Sequence, residues 1–306
     1  MSDQGSGNLN RPGVTPYFEP KDFPPPSALV HPRFGACSRL GRFHTVNEDH
    51  YLITRVGRSQ ETLLTSLPEN LVEKRFDEEG FVMVVADGLG NTGAGEAASR
   101  VALATLIQLI LNFCKWNLRV DDQIAQEIME RAERFYRHVD SAVVHEGTAR
   151  GLKQPQTTLT SVFGAGRDLF FAHVGHSRAY LFRDGSLLRL TRDHTVAAQG
   201  RRPPLAPLVD VNATARDLRH ILTETIGMGG SMGPAIDLER FQLADGDRIL
   251  MCTNGVTDMV DESVIVSVLE SGADLSDQCR RLADLAMEAG GDDDTTALAA
   301  EFHVSA

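Results

Sequence analysis

The chain predicts an α+β fold in which two antiparallel sheets pack face to face with helix pairs outside, a four-layer α-β-β-α sandwich. Three observations carry this expectation. Short apolar, β-branched runs come in groups, from Thr158 to Thr191 and again from Ile236 to Thr253, and Asp184-Gly185 marks a two-residue hairpin between two of them. Two pairs of segments with helical spacing, 94–116 with 121–144 and 261–270 with 275–289, fall between the strand groups. Finally, 306 residues with 42% hydrophobic content bury a large core without disulfide staples.

Each element has a local reason. Residues 1–32 are rich in Gly, Asn and Pro, including Pro24-Pro25-Pro26, and read as a flexible leader to a domain spanning 33–306. Phe34–Cys37 is a short strand, Gly41–Asp49 a polar loop, His50–Thr54 a strand, and Gly57–Glu79 a polar surface loop. Phe81–Ala86 is a buried strand that stops at Asp87-Gly88 and a second glycine, Gly90. The first helix places Val101, Leu103, Leu106, Ile107 and Ile110 on one stripe. The second repeats Ile124, Ile128, Ala132, Phe135 and Val139, with Asp121 or Asp122 as cap. Strands follow at 158–165, 169–174, 179–183 and 187–191. A Pro-rich insertion occupies about 200–219, and strands resume at 236–243 and 248–253. Two helices then precede a last strand, 295–304.

Composition excludes some partners. A net charge of −12 argues against nucleic-acid backbones and anionic membranes. The four cysteines, Cys37, Cys114, Cys252 and Cys279, show no CxxC pair; most sit in apolar segments as free thiols, which fits a reducing cytoplasm. The N-terminus lacks a basic region followed by an apolar one. The greasiest run, Val101–Phe113, is short for a bilayer span and contains Gln108. A soluble, cytoplasmic monomer is expected.

Acidic residues gather at strand ends: Glu48-Asp49 before one, Asp87 after another, Asn254 and Asp258 after a third, and Asp292-Asp293-Asp294 before the last. An aspartate such as Asp87 either satisfies the amides of its turn or binds a hard cation. Carboxylates crowded at one sheet edge repel unless cations neutralise them, and oxygen ligands of this type suit Mg²⁺ or Mn²⁺. Two such ions hold a water between them and clamp a phosphate.

The ordered motifs Gly41-Arg42 with Asn47-Glu48-Asp49, Val84 to Gly90, Thr157-Thr158-Leu159, Gly175-His176-Ser177-Arg178, Leu190 to His194, Arg248 to Gly255, and Asp293-Asp294-Thr295-Thr296 resemble the bacterial-type metal-dependent serine/threonine protein phosphatases of the type 2C family. The resemblance covers about Phe34 to Phe302. It implies the same sandwich, with a flap at the 200–219 insertion. It also implies two Mn²⁺ or Mg²⁺ ions and hydrolysis of phosphoserine or phosphothreonine on proteins by a metal-bridging hydroxide. Carried over, Asp87 bridges both ions, Gly88 offers its carbonyl, Glu48 binds the second ion and Asp293 the first. Asp49 acts through a metal-held water, Arg42 pairs with the substrate phosphate, and Asp258 lies near the same centre.

Two positions depart from that pattern. Asn254 stands where the family has a metal-ligating aspartate, and His176 where it has an aspartate serving a third ion. Asparagine brings oxygen without charge and histidine favours softer ions, so a third hard cation is not expected. Asp294 replaces an asparagine beside Asp293. These departures motivate the alternative of a weakened or inactive relative that binds phosphoproteins in a kinase pathway.

Overall fold

The computed structural model describes residues 30–89, 93–115, 118–199, 215–230 and 233–304. One sheet has the order β1 (Val30–Arg39), β11 (Thr295–Val304), β10 (Arg248–Cys252), β7 (Arg178–Arg183), β8 (Ser186–Arg189). The other runs β2 (Asp49–Glu61), β3 (Arg75–Leu89), β5 (Leu159–Ala165), β6 (Asp168–Val174), β9 (Asp237–Gln242), with the two-residue β4 (Gln156–Thr157) also on β3. Every pairing is antiparallel.

The period of two along each strand sorts the apolar residues into three cores. Phe81, Met83 and Val85 of β3 meet Ile249 and Met251 of β10 and Leu298, Ala300 and Phe302 of β11 between the sheets. The alternate β3 residues, Val82, Val84 and Ala86, pack outward on α1 (Ala94–Phe113) and α2 (Asp122–Arg150) through Ala98, Ala102, Leu106, Tyr136 and Val139. On the other outer face, Leu250 and Cys252 meet Ile265 of α6 (Glu262–Glu270) and Cys279 and Leu282 of α7 (Leu275–Ala289). The result is the α-β-β-α sandwich. Continued to the strand ends, the same parity turns Asp87 of β3 and Asp49 of β2 toward the gap between the sheets.

Local chemistry explains the boundaries. Asp121 caps α2, accepting from the Ile124 amide at 2.7 Å. Asp184 and Gly185 both take positive φ, 51° and 74°, as a tight hairpin between β7 and β8 requires. Helix α1 is long and apolar enough to cross a bilayer by length and composition. Its apolar stripe is committed to α2 and the sheet.

Several sequence expectations need revision. Strand β1 has ten residues and begins at Val30, inside the expected leader. The segment 57–79 is mostly a hairpin. Strands β2 and β3 stay paired out to Glu61 and Arg75, held by cross-strand pairs such as Arg58–Glu78 and Arg55–Glu79 rather than by apolar residues. Residues 254–257, expected as a turn, form a single helical turn, α5 (Asn254–Thr257). Residues 1–29, Gly90, and 200–214 of the insertion lie outside the described residues. Beyond them the insertion ends in the short helix α4 (Ala215–His220). The remaining short helix, α3, is Val196–Gln199.

Candidate metal centre

Strands β2 and β3 set Asp49 directly opposite Asp87. The Asp87 backbone is clamped on both sides. Its N–H donates to Thr158 Oγ1 at 3.0 Å, and its carbonyl accepts from Thr157 Oγ1 at 2.8 Å and from the Thr158 amide at 2.9 Å. These contacts leave the carboxylate uncommitted: Asp87 Oδ2 is buried with no hydrogen-bond partner. The next residue must be glycine, because a Cβ at position 88 would lie 2.3 Å from the Gly95 carbonyl oxygen. That close approach brings the start of α1 against the strand end, and the Gly88 amide donates to the Glu48 carbonyl at 3.1 Å.

Asp49 is equally enclosed. Its Oδ2 accepts from Thr253 Oγ1 at 2.8 Å, while Oδ1 has no partner. Burial pushes the Asp49 carboxyl up from its usual range, against the hydrogen bonds from Thr296 and Thr253. Burial also raises Asp87 strongly, and the Asp49, Asp293, Asp294 and Glu48 charges add to it. Glu48 and Asp293 are raised for the same first reason.

From the opposite sheet, Asn254 projects between Asp293 and Asp258. Its amide nitrogen lies 3.2 Å from Asp293 Oδ2 and 3.4 Å from Asp258 Oδ2. With both neighbours acceptors, the NH₂ group faces them and the carbonyl oxygen, buried and unpartnered, faces away. His176, 6% exposed, sits on the turn between β6 and β7. Its Nδ1 lies 3.8 Å from Asp87 Oδ2 and also lacks a hydrogen bond. Burial holds this imidazole down to about 4, so it is neutral and the pair is not an ion pair.

Asp294 does a different job from its neighbour. One oxygen accepts from the Gly41 amide and the other from the Glu48 amide, both at 2.7 Å, and His44 Nδ1 lies 3.0 Å from the second. Asp294 therefore braces the 41–48 loop against the start of β11, with both oxygens already engaged. His44 is also 3.9 Å from Asp293 Oδ1. Its imidazole is raised from the usual 6.5, first by the Asp294 carboxylate.

The structure thus brings Glu48, Asp49, Asp87, Gly88, Asn254, Asp258, His176, Asp293 and Asp294 to one end of the sandwich. It does not bring Arg42. The Arg42 guanidinium is exposed and donates to the Met287 carbonyl at 2.8 Å, near the end of α7. The cause is a long-range bond: the Arg42 amide donates to the Gly291 carbonyl at 2.8 Å, with residue 42 turned outward and residue 44 inward. His44, beside Asp293 and Asp294, and Thr253, bonded to Asp49, are neighbours of the cluster that the sequence did not single out. The spacing from His44 to Glu48 was the available signal.

Five unpartnered buried ligand atoms, His44 Nδ1, Asp49 Oδ1, Asp87 Oδ2, Asn254 Oδ1 and His176 Nδ1, occur among mutually repelling carboxylates. Unpartnered oxygen and nitrogen donors among carboxylates are the donor set a divalent cation takes. The donor set fits the group.

Comparison with known proteins bears on the family and the fold. A sequence profile described as protein phosphatase 2C matches residues 72–288. The serine/threonine protein phosphatase PstP of Mycobacterium tuberculosis is 28% identical over 225 residues, which are 72% of this chain and 40% of that protein. The chain therefore spans well under half the length of this mycobacterial relative. The serine/threonine phosphatase Stp of Listeria welshimeri is 28% identical over 221 residues, 72% of this chain and 84% of the relative. Among solved structures, the catalytic domain of PstP in complex with two manganese ions superposes with a TM-score of 0.64 at 24% identity. It covers 90% of this chain and all of that one.

Proposed function

Because this chain belongs to the protein phosphatase 2C family, we propose that it hydrolyses phosphoserine and phosphothreonine on proteins, with two Mn²⁺ or Mg²⁺ ions held by Asp87, Gly88, Glu48, Asp293 and Asn254. The observation that carries the reading is the set of unpartnered buried atoms around Asp87 in a cluster of mutually repelling carboxylates. The names of the mycobacterial and listerial relatives support the substrate class, and the manganese-bound relative supports the ion. When bound, the ions lower the pKa of a water and neutralise charge on a phosphate.

The chain's own groups supply the rest. Asp87, its backbone fixed by Thr157 and Thr158, presents its carboxylate from a rigid strand end. Asp49 keeps Oδ1 free while Thr253 holds Oδ2, so it orients a water by accepting its hydrogen bond. His44 places an imidazole at the rim, 3.0 Å from Asp294, where a phosphate oxygen would meet it. Arg42 reaches a phosphate only by leaving Met287. The free thiols fit a cytoplasmic setting alongside a serine/threonine kinase pathway.

The test is turnover of a phosphothreonine peptide by the full chain with millimolar Mn²⁺ and then with excess chelator. Activity that appears with Mn²⁺ and vanishes with chelator supports the reading. Absence of turnover with metal demonstrably bound sinks it.

A further inference from the structure

His176 has a framework of its own. Its turn is pinned on one side by Gly175, whose amide donates to His194 Nδ1 at 3.2 Å and whose carbonyl accepts from the His194 amide at 2.7 Å. His194 is in turn fixed by Asp237, 3.1 Å from its Nε2. On the other side Ser177 Oγ lies 2.9 Å from Thr158 Oγ1, the same hydroxyl that receives the Asp87 amide. One hydrogen-bond chain therefore positions both His176 and Asp87.

The atoms they present are complementary in number and distance. His176 Nδ1 and Asp87 Oδ2 are both buried, both unpartnered, and 3.8 Å apart. Two ligand atoms on one ion at about 2.0–2.2 Å each lie no more than about 4.4 Å apart. At 3.8 Å the pair lies between the cis and trans spacings of an octahedral ion, so a small shift of either side chain brings both atoms onto one ion. Imidazole nitrogen suits transition ions, whereas Mg²⁺ takes oxygen ligands in a strict octahedron.

We propose that His176 is a nitrogen ligand to an ion shared with Asp87, and that it makes this centre select transition ions over Mg²⁺. The proposal rests on the reading of the site as a divalent-cation centre. Where the family resemblance leads one to expect an all-oxygen surrounding at this position, this chain has a mixed one. The preference grows along the series from Mn²⁺ to Co²⁺.

The experiment uses the metal-free full chain loaded with Mn²⁺, read by electron spin-echo modulation from nitrogen, and parallel titrations with Co²⁺ and Mg²⁺. Wild type shows nitrogen modulation that persists in His44→Gln and disappears in His176→Gln, with Asp87→Asn abolishing tight Mn²⁺ binding. The Co²⁺-to-Mg²⁺ affinity ratio falls about tenfold or more in both His176→Gln and His176→Asp, with each variant matched to wild type by circular dichroism. Modulation that survives His176→Gln, or is absent while Mn²⁺ binding still depends on Asp87, overturns the role of His176 alone. Mn²⁺ binding indifferent to Asp87→Asn overturns the cation-centre reading and this inference with it.

Discussion

Asn254 shows how one atom changes the balance of a charged cluster. Its NH₂ group bridges Asp293 and Asp258, so the metal-free site gains two hydrogen bonds where an aspartate would add a third negative charge. Asn254→Asp is therefore expected to lower the melting temperature of the metal-free protein while tightening Mn²⁺ binding about tenfold or more, as seen by calorimetry. A variant that binds no more tightly would show that Asn254 Oδ1 is not a ligand. Asp87→Asn should do the opposite: the metal-free protein becomes more stable, and turnover drops by about two orders of magnitude or more, the equivalent of several kcal/mol of lost charge stabilisation. At this scale the sequence was informative about residue types but not about direction. Glu48, Asp87 and Asp293 were legible from strand-end position. The outward turn of Arg42 was not, because it depends on an amide bonded to Gly291, almost 250 residues away in sequence.

Among elements, the contact between β3 and the start of α1 is the tightest constraint on the site. Gly88→Ala drives a methyl group into the Gly95 carbonyl and forces the strand end and the helix apart. The expected cost is about 1–3 kcal/mol in denaturant unfolding. Mn²⁺ affinity should also fall, because Glu48 is carried on the same junction through its bond to the Gly88 amide. Retention of full stability would mean the junction is looser than its geometry implies. Helices α1, α2, α6 and α7 were legible because their apolar stripes recur at helical spacing. The β2–β3 hairpin was not: beyond Val56 and Gly80 its pairing rests on Arg–Glu partners across strands, and such residues look like loop in a one-dimensional reading. Likewise Thr253-Asn254-Gly255 looked like a turn, since a four-residue helix has too little periodicity to announce itself.

Taken whole, the molecule gathers buried carboxylates at one end of the sandwich, and that gives its stability a particular pH dependence. Asp49 and Asp87 keep protons in the native state that the unfolded chain has released, so stability falls as pH rises toward their folded values. His173 and His176, held down by burial to about 3 and about 4, oppose this only below the usual histidine value of 6.5. His44, raised, adds to the fall above 6.5, and the buried thiols contribute only beyond their usual 9.0. Metal-free protein should therefore lose melting temperature steadily between pH 6.5 and 9.0, with a shallower slope in Asp87→Asn and a nearly flat profile in Mn²⁺. A metal-free profile that rises through this window would contradict the raised carboxylates. The brace made by Asp294 also has a bearing on how the protein is born. Gly41 and Glu48 receive their anchor from a residue 253 and 246 positions later, and β1 takes its neighbour from β11. A nascent chain still missing that strand on the ribosome has most of its fold encoded but no assembled centre. The centre is complete only when the two distant segments close on each other.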